Sequence, residues 1–382
     1  MKTEQSLVPK LRFKGYSSVW HTKTIEQVLE KVSKPVAVID DQKYNQIGIR
    51  SHGKGIFYKD PVTGESLGNK RVFWIQPECL IVNIIFAWEH AIAKSTVSEK
   101  GMVASHRFPM YSPVGSQCTI DFILRFFLRK RGKYLLGLAS PGGAGRNKTL
   151  GQKDFGQLKI QLPTLPEQEK IAAFLTSVDD RIDQLKRKKS LLQDYKKGVM
   201  QKLFSQELRF KDDNGKPYPD WEEKKLGEVL TIGSGKDYKH LNEGDIPVYG
   251  SGGLMTYVDQ FLYEGESVCI GRKGTINKPQ FMSGKFWTVD TLFYTHDFKG
   301  VIPRFILSIF QNIEWYRYNE AGGVPSLSKK TIDSILVNFP SLPEQTKIAN
   351  FLNSLDQKIE QIDTQVNQTQ TFKKGLLQQM FV

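Results

Sequence analysis

Arginine, lysine and asparagine recur in short loops punctuated by glycine and serine. They are GIRSHGKG (48–55), SHRF (105–108) and PGGAGRNK (141–148) in the first half, and YGSGG (249–253), GRKGTINK (271–278) and GVPSLSKK (323–330) in the second. This is chemistry for grasping a polyanion. Arginine and lysine fork onto guanine O6 and N7, asparagine pairs with adenine, and glycine or serine lets a backbone N–H approach phosphate. The candidate contacts are Arg50, Ser51, His52, Lys54, His106, Arg107, Arg146, Asn147 and Lys148, then Ser251, Tyr257, Arg272, Lys273, Lys278 and Lys329. A charged glycine loop is also ordinary protein surface, so each alone carries little. Their recurrence in comparable places, with different residues in each half, points to two readers of different sequences.

Composition agrees with a nucleic-acid partner. The chain has 382 residues, with 54 basic against 40 acidic, a net charge of +14. Such an excess favours a polyanion. Its length suits two domains with connectors, and 39% hydrophobic content can fill two cores. No 18-residue apolar window offers a membrane span, and MKTEQSLVPKLRFKG is not expected to be a signal peptide. Cys79, Cys118 and Cys269 have no CxxC spacing and read as buried thiols of a reducing cytoplasm.

Catalytic patterns are missing. There is no HExxH, no GxSxG and no metal-spaced Cys/His cluster. GSGK (233–236) lacks the earlier glycine of a phosphate loop, and Asp237 replaces the hydroxyl residue that would meet magnesium. No Asn/Asp-Pro-Pro-aromatic segment marks a methyltransferase. The expectation is a chain that binds no metal and no cofactor.

Loops that read a duplex must be held at a fixed separation, and the chain carries a repeated candidate for that task. LPEQEKIAAFL begins at Leu165 and LPEQTKIANFL at Leu342, 177 positions later. At the same offset YKKGVMQKLF (195–204) lies over FKKGLLQQMF (372–381). Thr164 with Glu167, and Ser341 with Glu344, have capping-box spacing, and Pro166 and Pro343 stand where a missing N–H costs nothing. Apolar residues then step by four and three. In the first copy they are Ile171, Leu175, Val178, Ile182, Leu185, Leu192, Val199 and Leu203; in the second, Ile348, Leu352, Leu355, Ile359, Ile362, Val366, Leu376 and Met380. Such a stripe is a coiled-coil seam, and equal length and pattern favour antiparallel pairing of the two helices over separate docking. A helix of this length runs about 57 Å. Lys189 and Lys196 interrupt the first seam, and Thr369 and Lys373 the second. The middle is expected to be weaker unless long side chains snorkel there.

A fainter repeat opens each half. LRFKGYSSVWHTKTIEQVL (11–29) parallels LRFKDDNGKPYPDWEEKKLGEVL (208–230), with Trp20 over Trp221. The expected order is a first domain over 1–160, a long helix over 165–204, a polar, breaker-rich linker over 205–220, a second domain over 221–340 and a second long helix over 343–382. Short strand-like runs and glycine turns fill both domains, with one helix expected in each, at 120–129 and 301–310. The fold class is α+β: two irregular β-rich domains with helices, separated by two long helices in an antiparallel coiled coil, with an internal pseudo-two-fold.

These phrases, in this order and duplicated, resemble the specificity subunits of type I restriction-modification enzymes over essentially the whole chain. GESVCIGRKGTINKPQFMSGKFWTVDTLFY (265–294) and AGGVPSLSKKTIDSILVNFPSLPEQ (321–345) add to the match. CLIVNIIFAWEHAIA (79–93) is similar to the family's other common form, with an AWEGA-like turn in which His90 replaces the more usual glycine. GGAGRNKTL (142–150) stands in place of GVPSL, so that loop is expected to sit differently. The resemblance implies two target recognition domains, each reading half of an asymmetric, interrupted duplex DNA sequence, with the long helices as spacer. It implies two modification subunits bringing S-adenosylmethionine and adenine N6-methylation, and two restriction subunits using ATP and Mg2+ to translocate and cleave. This chain would then be a cytoplasmic, non-membrane, non-catalytic subunit of a site-specific deoxyribonuclease and methyltransferase complex. The alternative is a helical adaptor, a dimerising interaction protein without sequence-specific DNA reading. A stand-alone nuclease or methyltransferase is disfavoured by the missing motifs.

Overall fold

The computed structural model describes residues 8–142 and 148–382. The chain divides into two units, Met1–Gln184 with Val366–Val382 and Leu185–Gln365. The two long helices span Leu165–Phe204 and Leu342–Gln379, so each gives one part to each unit. The class is α+β.

In the first unit an antiparallel sheet runs in the spatial order Leu29–Val32, Met110–Pro113, Leu80–Val82, Ile92–Lys94. Alternation along a strand sends neighbouring side chains to opposite faces. Leu80 and Val82 join Phe122, Ile123, Phe126 and Phe127 of the helix Ile120–Phe127, while Ile81 packs with Ile47, Ile49 and Ile75. Both faces are therefore covered, which explains the unbroken apolar run CLIV. The second unit repeats this order as Thr231–Ser234, Leu292–His296, Ser267–Gly271, Gln280–Met282, with the helix Pro303–Asn312 beside Val268 and Ile270. It adds a second sheet, Gly253–Val258, Ile246–Gly250, Lys285–Thr288, Tyr263–Glu264, whose two central strands are parallel.

The repeated phrases turn out to fasten long helices to domains. Glu167 and Glu344 do not close capping boxes, contrary to their spacing. Arg12 of the first LRFK grips both oxygens of Glu167 at 2.7 Å, and Arg209 of the second grips Glu344 at 3.2 and 2.8 Å. Both carboxylates are wholly buried, and a buried carboxylate without a cation is far costlier than a vacant cap. In the same segments Leu11 N–H donates to Gln379 O at 2.9 Å, and Leu208 N–H to Lys202 O at 3.0 Å. Each LRFK thus ties the end of one long helix to the start of the other. Gln168 and Gln345, also buried, complete the fastening. Each Nε2 donates to two carbonyls (Pro163 and Gln117; Pro340 and Gly300), and each Oε1 accepts from the domain helix entry (Thr119 N–H; Ile302 N–H).

Aromatic packing is equally duplicated. Trp20 lies on Phe122 and Phe381 in the first unit, and Trp221 on Phe305 and Phe204 in the second. The expected linker is not slack. Phe210 packs edge-on to Phe351, and Lys347 pairs with Asp213 at 2.7 Å.

Along the helices most seam positions are buried, but Leu192, Val199 and Ile359 are only half-buried, and Met200 is buried beside Val199. A 3.6-residue turn drifts against a 3.5-residue repeat, which moves the stripe by a residue. The interrupting lysines form ion pairs: Lys189 with Asp363 at 2.5 Å, Lys196 with Asp356 at 2.7 Å, and Lys373 with Asp179.

Candidate nucleic-acid interface

In the second unit the strand Ser267–Gly271 delivers the turn GRKGTI. Gly271 is required there, because a Cβ would lie 2.2 Å from Thr275 O, and Gly274 sits at φ +85°. The GVPSL loop is sewn to this turn: Gly274 N–H donates to Pro325 O and Leu327 N–H to Arg272 O, both at 2.9 Å. Arg272, Lys273 and Lys329 consequently line one cavity of about 400 Å³. Ser251 approaches the turn from outside that lining, its Oγ 3.5 Å from where a Gly274 Cβ would stand. Tyr257 is exposed on the strand Gly253–Val258, and Lys278 is exposed beyond the turn. Glu320 faces the same cavity, and sequence reading missed it. The hydroxyls of Thr331 and Ser328 hold its carboxylate below its ordinary pKa, so it stays charged and repels phosphate from that wall. GSGK lies partly in the strand Thr231–Ser234 and does not lead into a helix as a phosphate loop would.

In the first unit the corresponding strand Leu80–Val82 delivers residues 83–91, which carry no arginine or lysine. Basic residues reach this segment from elsewhere. His52 N–H donates to Glu89 O at 2.6 Å and Gly53 N–H to His90 O at 2.9 Å, seating the turn that bears Arg50 and Lys54. Ile84 N–H donates to Arg107 O at 3.0 Å, and Lys148 Nζ stands 5.5 Å from the Trp88 ring. Arg50, His52, Lys54, His106 and Arg107 are exposed. Ser51 serves the turn itself, donating to Glu89 Oε2 at 3.0 Å. His106 lines a cavity of about 170 Å³ with Lys31, Arg71 and Ile84 of this segment. Arg146 and Asn147 lie outside the described residues. His90 adopts the left-handed conformation (φ 64°, ψ 33°) that favours glycine, as the substituted AWEGA-like turn implied. Burial, and then the charge of Lys133, lowers its pKa. Trp88 and His90 were legible only through that turn; Lys31 and Arg71 carried no signal.

Among the described residues no group of three or more His, Cys, Asp or Glu could hold a metal ion, and no helix is long and apolar enough to cross a membrane. All three thiols are buried, and burial pushes Cys269 up to about 12.

Residues 18–193 and 218–369 match the type I restriction modification DNA specificity domain. The chain belongs to that family. Specificity subunits of two Methanocaldococcus jannaschii enzymes are similar to it: MjaVIII at 30% identity over 42% of this chain and 39% of its own length, and the putative MjaX at 25% over 67% and 65%. The chain therefore spans under two thirds of either relative. The crystal structure of a type I restriction-modification S subunit from M. genitalium shares the fold, with a TM-score of 0.65 at 17% identity over 98% of this chain and 99% of that one. Both matched stretches of this specificity-family chain contain a candidate interface segment, 83–91 in one and 271–276 in the other.

Proposed function

We propose that this chain is the DNA sequence-specificity subunit of a type I restriction-modification complex, reading a bipartite, asymmetric duplex target and directing methylation or cleavage by its partners. One observation carries the reading: the same strand order and the same Arg–Glu and Gln fastenings occur twice, while the loops at the corresponding strand ends differ. A common chassis with unlike loops is what two unlike half-sites require.

On this reading the target recognition domains occupy 1–160 and 221–340, joined through the 205–220 segment. The helices over 165–204 and 343–382 form an antiparallel coiled coil about a pseudo-two-fold. Rigidity matters because each base pair advances the duplex by about 3.4 Å and turns it by roughly a tenth of a revolution. A flexible linker sets reach but not angle. Arg50, His52, Lys54, Arg107 and Lys148 face the first half-site, and Ser251, Tyr257, Arg272, Lys273, Lys278 and Lys329 the second. His106, Arg146 and Asn147 complete the first set. The chain works in the cytoplasm with two modification subunits, which use S-adenosylmethionine, and two restriction subunits, which use ATP and Mg2+.

Single-molecule methylation mapping of DNA modified by the chain with its modification partner tests this. Two separated half-sites are expected, and the chain alone, given DNA, Mg2+, ATP and S-adenosylmethionine, is expected to leave DNA unchanged. Methyl transfer by the partner-free chain, or methylation without a bipartite target, overturns it. Arg272→Ala is expected to weaken binding by about 1–3 kcal/mol and relax one half-site if Arg272 meets base edges. A uniform loss with a salt slope lower by about one means phosphate contact only.

A further inference from the structure

Among the described residues the strand Gly253–Val258 is the outer member of its sheet, paired on one side only, with Ile246–Gly250. Its sequence, GLMTYV, contains no charge and no proline. Proteins ordinarily blunt such an edge with charge, proline or cover, because open backbone groups beside apolar side chains invite a partner. Here Leu254, Met255 and Tyr257 are 51%, 53% and 50% exposed. The exposure is built in by a bulge. Val248 pairs with Thr256 and Tyr249 with Leu254, so Met255 has no partner across the ladder.

The neighbourhood identifies the occupant. Ser251, in the bend of the same hairpin, reaches the GRKG turn at Gly274, and Gln280 Nε2 donates to Gly250 O at 3.3 Å. The turn of this hairpin therefore lies beside the GRKG turn, whose Arg272 and Lys273 line a cavity with Lys329. An apolar rim beside concentrated cations fits the major groove, which admits a two-stranded ribbon between two rows of phosphates. Within that groove thymine presents an apolar group, its C5-methyl, so side chains without a charge can still tell A·T from G·C.

We propose that this edge enters the major groove of the second half-site and that Leu254, Met255 and Tyr257 read thymine methyl groups there. The inference rests on the DNA-reading function proposed above. A further protein strand adding to the edge is the competing occupant.

The test uses the chain assembled with its modification partner on its mapped target. Each thymine is replaced in turn by uracil, which pairs identically but lacks the methyl. Removing a read methyl is expected to weaken binding about fourfold, the equivalent of one buried methylene-sized group. Leu254→Ala and Met255→Ala, at half-exposed positions, are expected to bind the thymine duplex less well and to lose the preference for thymine over uracil. Full tolerance of uracil by the wild type, thymine preference retained in both variants, or a second half-site made only of G·C pairs overturns the proposal. Variants that lose partner assembly in gel filtration yet keep thymine preference assign the edge to a protein strand. If the wild type does not prefer its mapped duplex over a scrambled one, the DNA-reading function itself fails.

Discussion

Replacing Gln345 by glutamate alters one NH2 group and leaves the shape unchanged. Gln345 is 1% exposed; its amide nitrogen donates to Pro340 O at 2.9 Å and Gly300 O at 3.1 Å, and its oxygen accepts from Ile302 N–H at 3.1 Å. A carboxylate keeps the third bond but sets a charge against two carbonyl oxygens. The less costly course is to remain protonated and donate to one of them. Keeping a carboxyl of ordinary pKa about 4.3 neutral near pH 7.3 costs about 4 kcal/mol, at roughly 1.36 kcal/mol per unit. The second lost donor adds about 1 kcal/mol. Gln345→Glu is therefore expected to destabilise the second unit by roughly 5 kcal/mol at neutral pH. The folded-state pKa of the new carboxyl is raised above its unfolded value. The penalty is then smallest below about pH 4.3 and grows as pH rises, reaching only about 2 kcal/mol near pH 5. Urea unfolding at the two pH values measures it, and hydrogen exchange over 298–304 and 342–348 locates it. Gln168→Glu is expected to do the same in the first unit. A variant within about 0.5 kcal/mol of wild type at both pH values refutes the account of the LPEQ phrase as a buried fastening.

Two further outcomes are expected. Inserting four residues after Lys188, about one turn or 6 Å of helix, lengthens the unspecified gap between half-sites and leaves the half-sites unchanged, as methylation mapping would register. Normal assembly with an unaltered gap removes the helices as the spacer. His90, its pKa lowered by burial, contributes stability above its unfolded value of about 6.5 that is lost as pH falls through the folded value. His90→Asn, which tolerates the left-handed backbone, should flatten the loss of first-unit stability between pH 7 and 5 in hydrogen exchange. Equal losses in both proteins would show that His90 does not titrate against the fold.

The residue order by itself determined what is local or periodic. Helix extent follows from proline, spacing and the four-and-three apolar steps, which need only neighbouring residues, and the helices Leu165–Phe204 and Leu342–Gln379 lie within three residues of the expected 165–204 and 343–382. The glycine turn in GRKG was legible for the same reason, since backbone conformation is a near-neighbour property, whereas His90 was marked only by the resemblance to the AWEGA-like turn. Tertiary structure alone decided which partner each polar group takes. Glu167 has the spacing of a cap, yet Arg12, 155 residues away, claims it, because a buried carboxylate takes the cation that packing brings to it. Ser51 is equally suited to phosphate and to a carboxylate, and only the packing of the 50–55 turn against residues 83–91 puts Glu89 beside it. Backbone bonds between distant loops join GVPSL to GRKG, and the order of a separate sheet leaves Leu254 and Met255 on an open edge. Such contacts depend on long-range pairing of short strands, and no spacing along the chain encodes them.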